Sequence, residues 1–238
     1  QEELDSVYAP IGLDIKSETP EEIAISAPGP AGAFYAIQTL RQLFAQGSVP
    51  CLHIEDAPTL AYRGFYHDAT RGKVPTLDTL KGLVDQMAYV KLNSLQLYVE
   101  HTFPFREYGD LPEQLGCLTP EEMKELDDYC KENFVDFIPS LSTFGHLYEL
   151  LEQPDYQHLR LCQEPPINRW RARMVHHTID PRQPESIGII KSLIDQYAPC
   201  FTSDFFNICC DETFDICNGK NAGKDKGALY LDFTLKII

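Results

Sequence analysis

Apolar and polar positions alternate at Ile11, Leu13 and Ile15, and again at Ile23 and Ile25, which predicts two β-strands near the start of the chain. Pro28-Gly29-Pro30 interrupts that pattern. Beyond it Ala33, Ile37, Leu40 and Phe44 recur at helical spacing, so a helix is predicted over 31–44, with Gly47 as its stop signal. Two strands and one helix bury too little surface to stand alone. Residues 1–57 therefore read as the C-terminal part of a small α+β domain, bounded by the turn Asp56-Ala57-Pro58.

After Pro58 the pattern becomes strand, loop, helix, repeated. Strands are predicted at Tyr62–His67, Ser94–Val99, Phe134–Leu141 and Phe205–Cys210. The last is a nearly continuous apolar run, the signature of a strand buried on both faces. Between them, Pro75-Thr76 opens a helix with the stripe Leu80, Leu83, Val84, Met87 and Ala88. Thr119-Pro120-Glu121-Glu122 is a capping box with Pro at the first helical position, which starts a helix running to about Glu132. Pro184 opens another through Ile187, Ile190 and Ile194, and a last helix is predicted over 226–238. Alternating βα units predict an α/β fold with a parallel sheet and helices outside, closed as a barrel or open and doubly wound.

Composition narrows the function classes. The 238 residues carry 36 acidic and 20 basic side chains, a net charge of −16, which would repel nucleic-acid phosphates. No run approaches the roughly 20 apolar residues that span a bilayer, so neither nucleic acid nor membrane is expected as a partner. The eight cysteines, at 51, 117, 130, 162, 200, 209, 210 and 217, include no C-x-x-C pair and follow no regular spacing. They read as reduced, mostly buried thiols rather than a zinc site or a disulfide framework. With no visible signal peptide after Gln1, the lean is towards a cytoplasmic location.

In βα folds the chemistry sits at the carboxyl ends of the strands. Here those ends carry Asp68 and Arg71, then Glu100 and His101, then Gly145-His146, then Asp211-Glu212. No glycine-rich phosphate cradle and no G-x-S-x-G turn accompanies them. Asp211 and Glu212 are adjacent, and neighbours on a strand face opposite ways. They are therefore not expected to flank one glycosidic bond as a conventional acid and nucleophile do. Each could instead hold a different part of one substrate. The arginines of the long segment after the third strand, Arg160, Arg169, Arg171, Arg173 and Arg182, read as a solvated loop.

These residues together resemble the family 20 glycoside hydrolases, the β-N-acetylhexosaminidases. The resemblance rests on Arg63-Gly64 with Asp68-Ala69-Thr70-Arg71, on Lys91-Leu92-Asn93, on Gly145-His146, and on the apolar run Phe206–Cys210 leading into Asp211-Glu212. The stretch Gly32–Leu40 is similar to the helix of the family's non-catalytic domain. The resemblance implies a (β/α)8 TIM barrel, of which residues 58–238 would supply about the first four βα units. The missing C-terminal half of the barrel would then be a partner in completing the site. It further implies exo-hydrolysis of terminal β-linked N-acetylglucosamine or N-acetylgalactosamine from an amino-sugar glycoside or oligosaccharide. The implied mechanism is retaining and substrate-assisted, through an oxazolinium intermediate. Glu212 would be the general acid and then the base, and Asp211 would orient the acetamido group. Arg63 would bind sugar hydroxyls, His146 would support the pocket, and Glu100 and His101 would add further substrate contacts. No metal or organic cofactor is implied.

This chain departs from the family pattern at two places. Cys209 and Cys210 stand where glycines are usual, and Glu100-His101-Thr102 stands where a pair of aspartates is frequent. Both departures motivate an alternative, a carbohydrate-binding relative without catalysis. A second alternative is a metal-dependent barrel hydrolase using His101, His146 and Asp211. With only half of a barrel, the chain by itself is expected to be an inactive fragment.

Overall fold

The structure is a computed structural model that describes residues 12–19, 22–47, 49–162 and 176–238. Ile11, Arg169, Trp170, Arg171 and Arg173 lie outside the described residues. The described chain divides into two compact units. The first draws on Gln1–Tyr66, Leu77–Gln96 and Leu126–Phe137, and the second on His67–Thr76, Leu97–Glu125 and Ile138–Ile238.

In the first unit, β1 (Leu13–Thr19) lies between β2 (Glu22–Ser26) and β3 (Leu52–Asp56) in an antiparallel sheet of order β2-β1-β3. The register sets Ile15 opposite Ile25 on one side and Ile54 on the other. Strand β3 is an addition to the two expected strands. Its only apolar signal is Leu52 and Ile54, too short an alternation to stand out from the turn that follows. Helix α1 (Pro30–Phe44) covers the sheet, but not by the predicted stripe. Its buried positions are Gly32, Tyr35, Ala36 and Gln38, while Ile37 and Phe44 are exposed. The cause is close approach at Gly32, where an added Cβ would lie 2.5 Å from the Gly12 carbonyl oxygen. That contact turns the face carrying Gly32, Tyr35 and Ala36 inward, onto Leu13 and Ile15. Helix α2 (Leu77–Tyr89) buries Leu80, Val84, Met87 and Ala88, following its predicted stripe.

A second sheet has the order β4 (Gly64–Asp68), β5 (Ser94–Val99), β6 (Asp136–Leu141). Main-chain bonds join start to start, from Asn93 N to the Arg63 carbonyl and from Asp136 N to the Asn93 carbonyl. Others join end to end, from Ala69 N to the Tyr98 carbonyl and from Ser142 N to the Val99 carbonyl. Strands linked in this way run in the same direction. β5 and β6 are buried along nearly their whole length, whereas Phe65 and Tyr66 of β4 are exposed.

The expected fourth strand is not formed. Only Asn207 makes a parallel bridge, to Ser140 of β6, and residues 205–208 are half-exposed rather than buried on both faces. Cys209, just before Cys210 and the acidic pair, has a φ of 38°, outside the extended region, and this breaks the ladder.

The second unit holds helices α3 (Leu111–Leu115), α5 (Tyr148–Glu152), α6 (Pro184–Tyr197) and α7 (Lys226–Ile237), and α6 and α7 start where the sequence predicts. Tyr197 at the end of α6 packs edge-on to Phe103, which also meets Phe105, so the segment after β5 is clamped by aromatic rings. Phe233 of α7 meets Phe144, just before Gly145, with ring centroids 4.3 Å apart. Among the described residues no helix is long and apolar enough to cross a membrane. The eight cysteines are free thiols, with Cys130, Cys162, Cys200, Cys209 and Cys210 buried.

Helix α4 (Pro120–Glu132) begins with the predicted capping box. Thr119 N donates to Glu122 Oε2 at 2.8 Å, and Glu122 N donates to Thr119 Oγ1 at 3.1 Å. Replacing Thr119 with Ala orphans one of these donors and is expected to cost about 0.5–2 kcal/mol, read as a lower urea midpoint at unchanged slope.

Candidate active site

The site is built at the carboxyl ends of β4, β5 and β6. Asp68 closes β4, and its Oδ1 accepts from the backbone N–H groups of Thr70 (2.9 Å) and Arg71 (3.0 Å). Its Oδ2 takes the Arg71 Nε–H at 2.6 Å. Burial works against the Asp68 carboxylate, but these bonds and the Arg71 charge outweigh it and hold its pKa below the usual value. Thr70 then ties the end of β4 to that of β5. Its Oγ1 donates to the Tyr98 carbonyl and accepts from Glu100 N at 2.9 Å.

Glu100, one residue beyond β5, is surrounded. Tyr98 Oη donates to its Oε1 at 2.7 Å, and Tyr108 Oη donates to its backbone carbonyl. His146 Nδ1 lies 3.4 Å from Oε1, and His101 Nδ1 lies 3.8 Å from Oε2. His101 thus borders the Glu100 carboxylate.

His146 is presented by a turn that only glycine permits. A Cβ on Gly145 would sit 2.6 Å from the Asp211 carbonyl oxygen. The next residue, His146, takes a left-handed φ of 57°. The ring is thereby carried up to the acidic pair, with Nε2 at 3.0 Å from Glu212 Oε2 and 3.8 Å from Asp211 Oδ2. Asp211 and Glu212 do not face opposite ways as two neighbours on a strand would. Glu212 has a φ of 52°, so the alternation is broken and the two carboxylates converge on one imidazole. The Glu212 backbone is held as well, its carbonyl 2.9 Å from the buried His177 Nε2.

Both cysteines before the pair are occupied inward. Cys209 Sγ meets Ser140 Oγ at 3.1 Å, and Cys210 Sγ meets Thr143 Oγ1 at 3.3 Å. Thr143 Oγ1 also donates to the Ile208 carbonyl. Hydroxyls from the end of β6 therefore pin the segment that its own ladder leaves loose.

Arg63 is not brought to this cluster. It precedes β4, at the opposite end of that strand from Asp68, and its guanidinium is taken up by main-chain carbonyls. Nε donates to Lys91 O at 2.8 Å, and Nη1 donates to Leu60 O and Ala61 O. The arginine at the carboxyl end is Arg71, stacked 4.9 Å over the Tyr98 ring and half-exposed. The Asp-x-x-Arg spacing was a usable signal for Arg71. Tyr98 and His177 carried none, since a Tyr within an apolar strand and a His in a long connection read as packing and loop.

His146, Asp211 and Glu212 offer three donor atoms within 4.8 Å of one another, a set that could hold a metal ion. His101 is not in that set. Among the described residues Asp14, His53 and Glu55 form a second such set on the first sheet.

This is a parallel βα fold with two adjacent carboxylates and a largely enclosed imidazole at its carboxyl end. Residues 60–225 match the catalytic domain of glycosyl hydrolase family 20, and residues 13–57 match that family's domain 2. The chain belongs to glycosyl hydrolase family 20. It is 29% identical to a β-hexosaminidase of Akkermansia muciniphila over 218 residues, covering 82% of this chain and 44% of the relative. It is 25% identical to a β-hexosaminidase of Porphyromonas gingivalis, covering 80% of this chain and 28% of that protein. Among solved structures, the Flavobacterium johnsoniae chitobiase superposes with a TM-score of 0.80 at 23% identity, over 97% of this chain and 38% of that one. The exo-β-N-acetylglucosaminidase of Vibrio harveyi, solved with N-acetylglucosamine, gives a TM-score of 0.78 at 20% identity, over 97% and 42%. The fold is part of a TIM barrel, and the chain spans less than half the length of these relatives.

Burial of His146 opposes its charge, but the hydrogen bond and charge of Glu100, with Asp211 and Glu212, outweigh that and raise its pKa above 6.5. A raised folded-state pKa stabilises the fold fully below the unfolded value and is lost as pH rises through the folded one. Wild type is therefore expected to lose stability relative to His146→Gln on going from mildly acidic to mildly alkaline pH. Urea midpoints of the two proteins across that range check this.

Proposed function

We propose that the protein carrying this chain is an exo-acting β-N-acetylhexosaminidase, removing terminal β-linked N-acetylglucosamine or N-acetylgalactosamine with retention of configuration. The observation that carries the reading is the placement of Glu212. Its Oε2 is 3.0 Å from an imidazole whose other nitrogen faces Glu100, and Asp211 stands on the same side. One carboxyl can thus exchange a proton beside an imidazole backed by Glu100 while the other faces the reacting centre.

In this reading the acetamido oxygen of the substrate attacks the anomeric carbon as the bond to the leaving oxygen breaks. The Glu212 proton passes to that leaving oxygen. Asp211 accepts the acetamido N–H and opposes the positive charge that develops on the oxazolinium ring. Water then attacks the anomeric carbon and gives its proton to Glu212, and the ring reopens to the acetamide. His146, held by Glu100, orients Glu212 through both steps. Arg71, exposed at the rim and anchored by Asp68, is placed to meet sugar hydroxyls, the role the sequence suggested for Arg63. The N-acetylglucosamine bound in the Vibrio harveyi neighbour supports the substrate class.

Glu212→Gln in the protein carrying this chain is expected to lower release from a chromogenic β-N-acetylglucosaminide by about 10²–10⁴-fold. Turnover equal to wild type would remove Glu212 from the role of acid. The 238-residue chain alone is expected to turn over negligibly, since the Asp211 and Glu212 side chains are 60% and 40% exposed and their site is open on one side. Full activity from it would overturn that expectation.

A further inference from the structure

We propose that Tyr98 is a positioning residue for the acid of this site. Its phenol O–H fixes the Glu100 carboxylate against His146 and so governs how that imidazole is held and charged beside Glu212. The proposal rests on the reading of Glu212 as the general acid.

Tyr98 is the penultimate residue of β5 and is 4% exposed. Its hydroxyl makes two directed bonds. It accepts from Ser142 Oγ at 2.9 Å and donates to Glu100 Oε1 at 2.7 Å. A phenol has one proton, so the donation from Ser142 commits that proton to Glu100. Ser142 is fully buried, and its own N–H is tied to the Val99 carbonyl. The anchor is therefore fixed to both β5 and β6. Burial and the Glu100 charge push the Tyr98 phenol well above its ordinary pKa, so the donor stays protonated at any working pH. The ring is immobilised from two further sides, by Arg71 stacked at 4.9 Å and by an edge-on contact with the His146 ring at 6.2 Å.

The oxygen that Tyr98 grips is the one that faces His146 Nδ1. The other oxygen, Oε2, faces His101 at 3.8 Å. Without the phenol proton, Glu100 can turn to His101 or to solvent. His146 would then lose the partner that contributes most to holding its charge. The charged and titratable groups facing His146 are Glu100, Asp211, Glu212 and the His177 ring at 5.9 Å, and Arg71 acts on Glu100 from beyond Tyr98. Tyr98→Phe removes the Tyr98–Glu100 bond and the Ser142 donation that orients it, and keeps the ring and both of its packing contacts.

The test has two arms. In the 238-residue chain, the ring-proton NMR titration of His146 is followed in wild type, Tyr98→Phe and Ser142→Ala. Tyr98→Phe is expected to lower the His146 midpoint by about half a pH unit or more, with a smaller shift in the same direction for Ser142→Ala. In the protein carrying this chain, Tyr98→Phe is expected to lower kcat about tenfold, with KM within about twofold, and to move the alkaline limb of kcat/KM to lower pH. A His146 midpoint that is unchanged or raised in a folded Tyr98→Phe protein overturns the proposal. So does a loss of kcat/KM that is equal at every pH, which is the mark of a merely structural role. If Tyr98→Phe does not fold, the double variant Tyr98→Phe/Ser142→Ala, which leaves no buried hydroxyl unpartnered, is read in its place. Wild-type protein that hydrolyses no hexosaminide would refute the functional reading, while the NMR arm would still decide whether Tyr98 positions Glu100 and His146.

Discussion

The site depends on the approach of two backbones at Gly145. With no side chain there, the turn after β6 comes within reach of the Asp211 carbonyl, closer than any Cβ would allow. His146 then has one place to go, and its left-handed backbone aims the ring at Glu212. Non-glycine residues in that conformation are uncommon, and His146, Cys209 and Glu212 all adopt it around one site. An alanine at 145 would push the two segments apart and break the His146–Glu212 contact without touching either side chain.

Around that contact the charges are arranged in layers. Three carboxylates, from Glu100, Asp211 and Glu212, face a single imidazole, and a fourth, Asp68, is neutralised by Arg71 and two backbone N–H groups. Carboxylates this close cannot all carry charge at little cost, so the imidazolium and the hydroxyl donors of Tyr98 and Thr70 are what make the concentration tolerable. Asp211 is the more exposed of the adjacent pair, and Glu212 lies closer to the imidazole.

Much of this was legible in the sequence, for reasons that differ by element. Helices α2, α4, α6 and α7 announced themselves by capping boxes, prolines and apolar stripes, which are local signals. β5 was legible because Leu95, Leu97, Tyr98 and Val99 give it the composition of a strand. The inward face of α1 was not, because it is set by Gly32 meeting the Gly12 carbonyl, a contact between segments that periodicity does not encode. The fourth strand was misread for a related reason. Phe205–Cys210 has the composition of a strand, but a strand also needs a continuous ladder, and Cys209 turns out of it. The acidic pair, His146, Glu100 and His101 were visible as ionisable groups at strand ends, and the structure gathers them. Arg63 and Arg71 both lie near β4 in sequence, and only the direction of the strand separates the arginine at its start from the one at its carboxyl end.

Cys209 and Cys210 decide how the segment before the acidic pair is held. Sulfur is a soft, weak hydrogen-bonding partner, and here two sulfurs accept the company of Ser140 and Thr143 where a main-chain ladder would otherwise grip. The acidic pair therefore follows a segment fixed by side chains of β6 and the turn after it, not by the sheet ladder itself. Where Asp211 and Glu212 sit is then decided by the packing of Ser140 and Thr143 rather than by strand register.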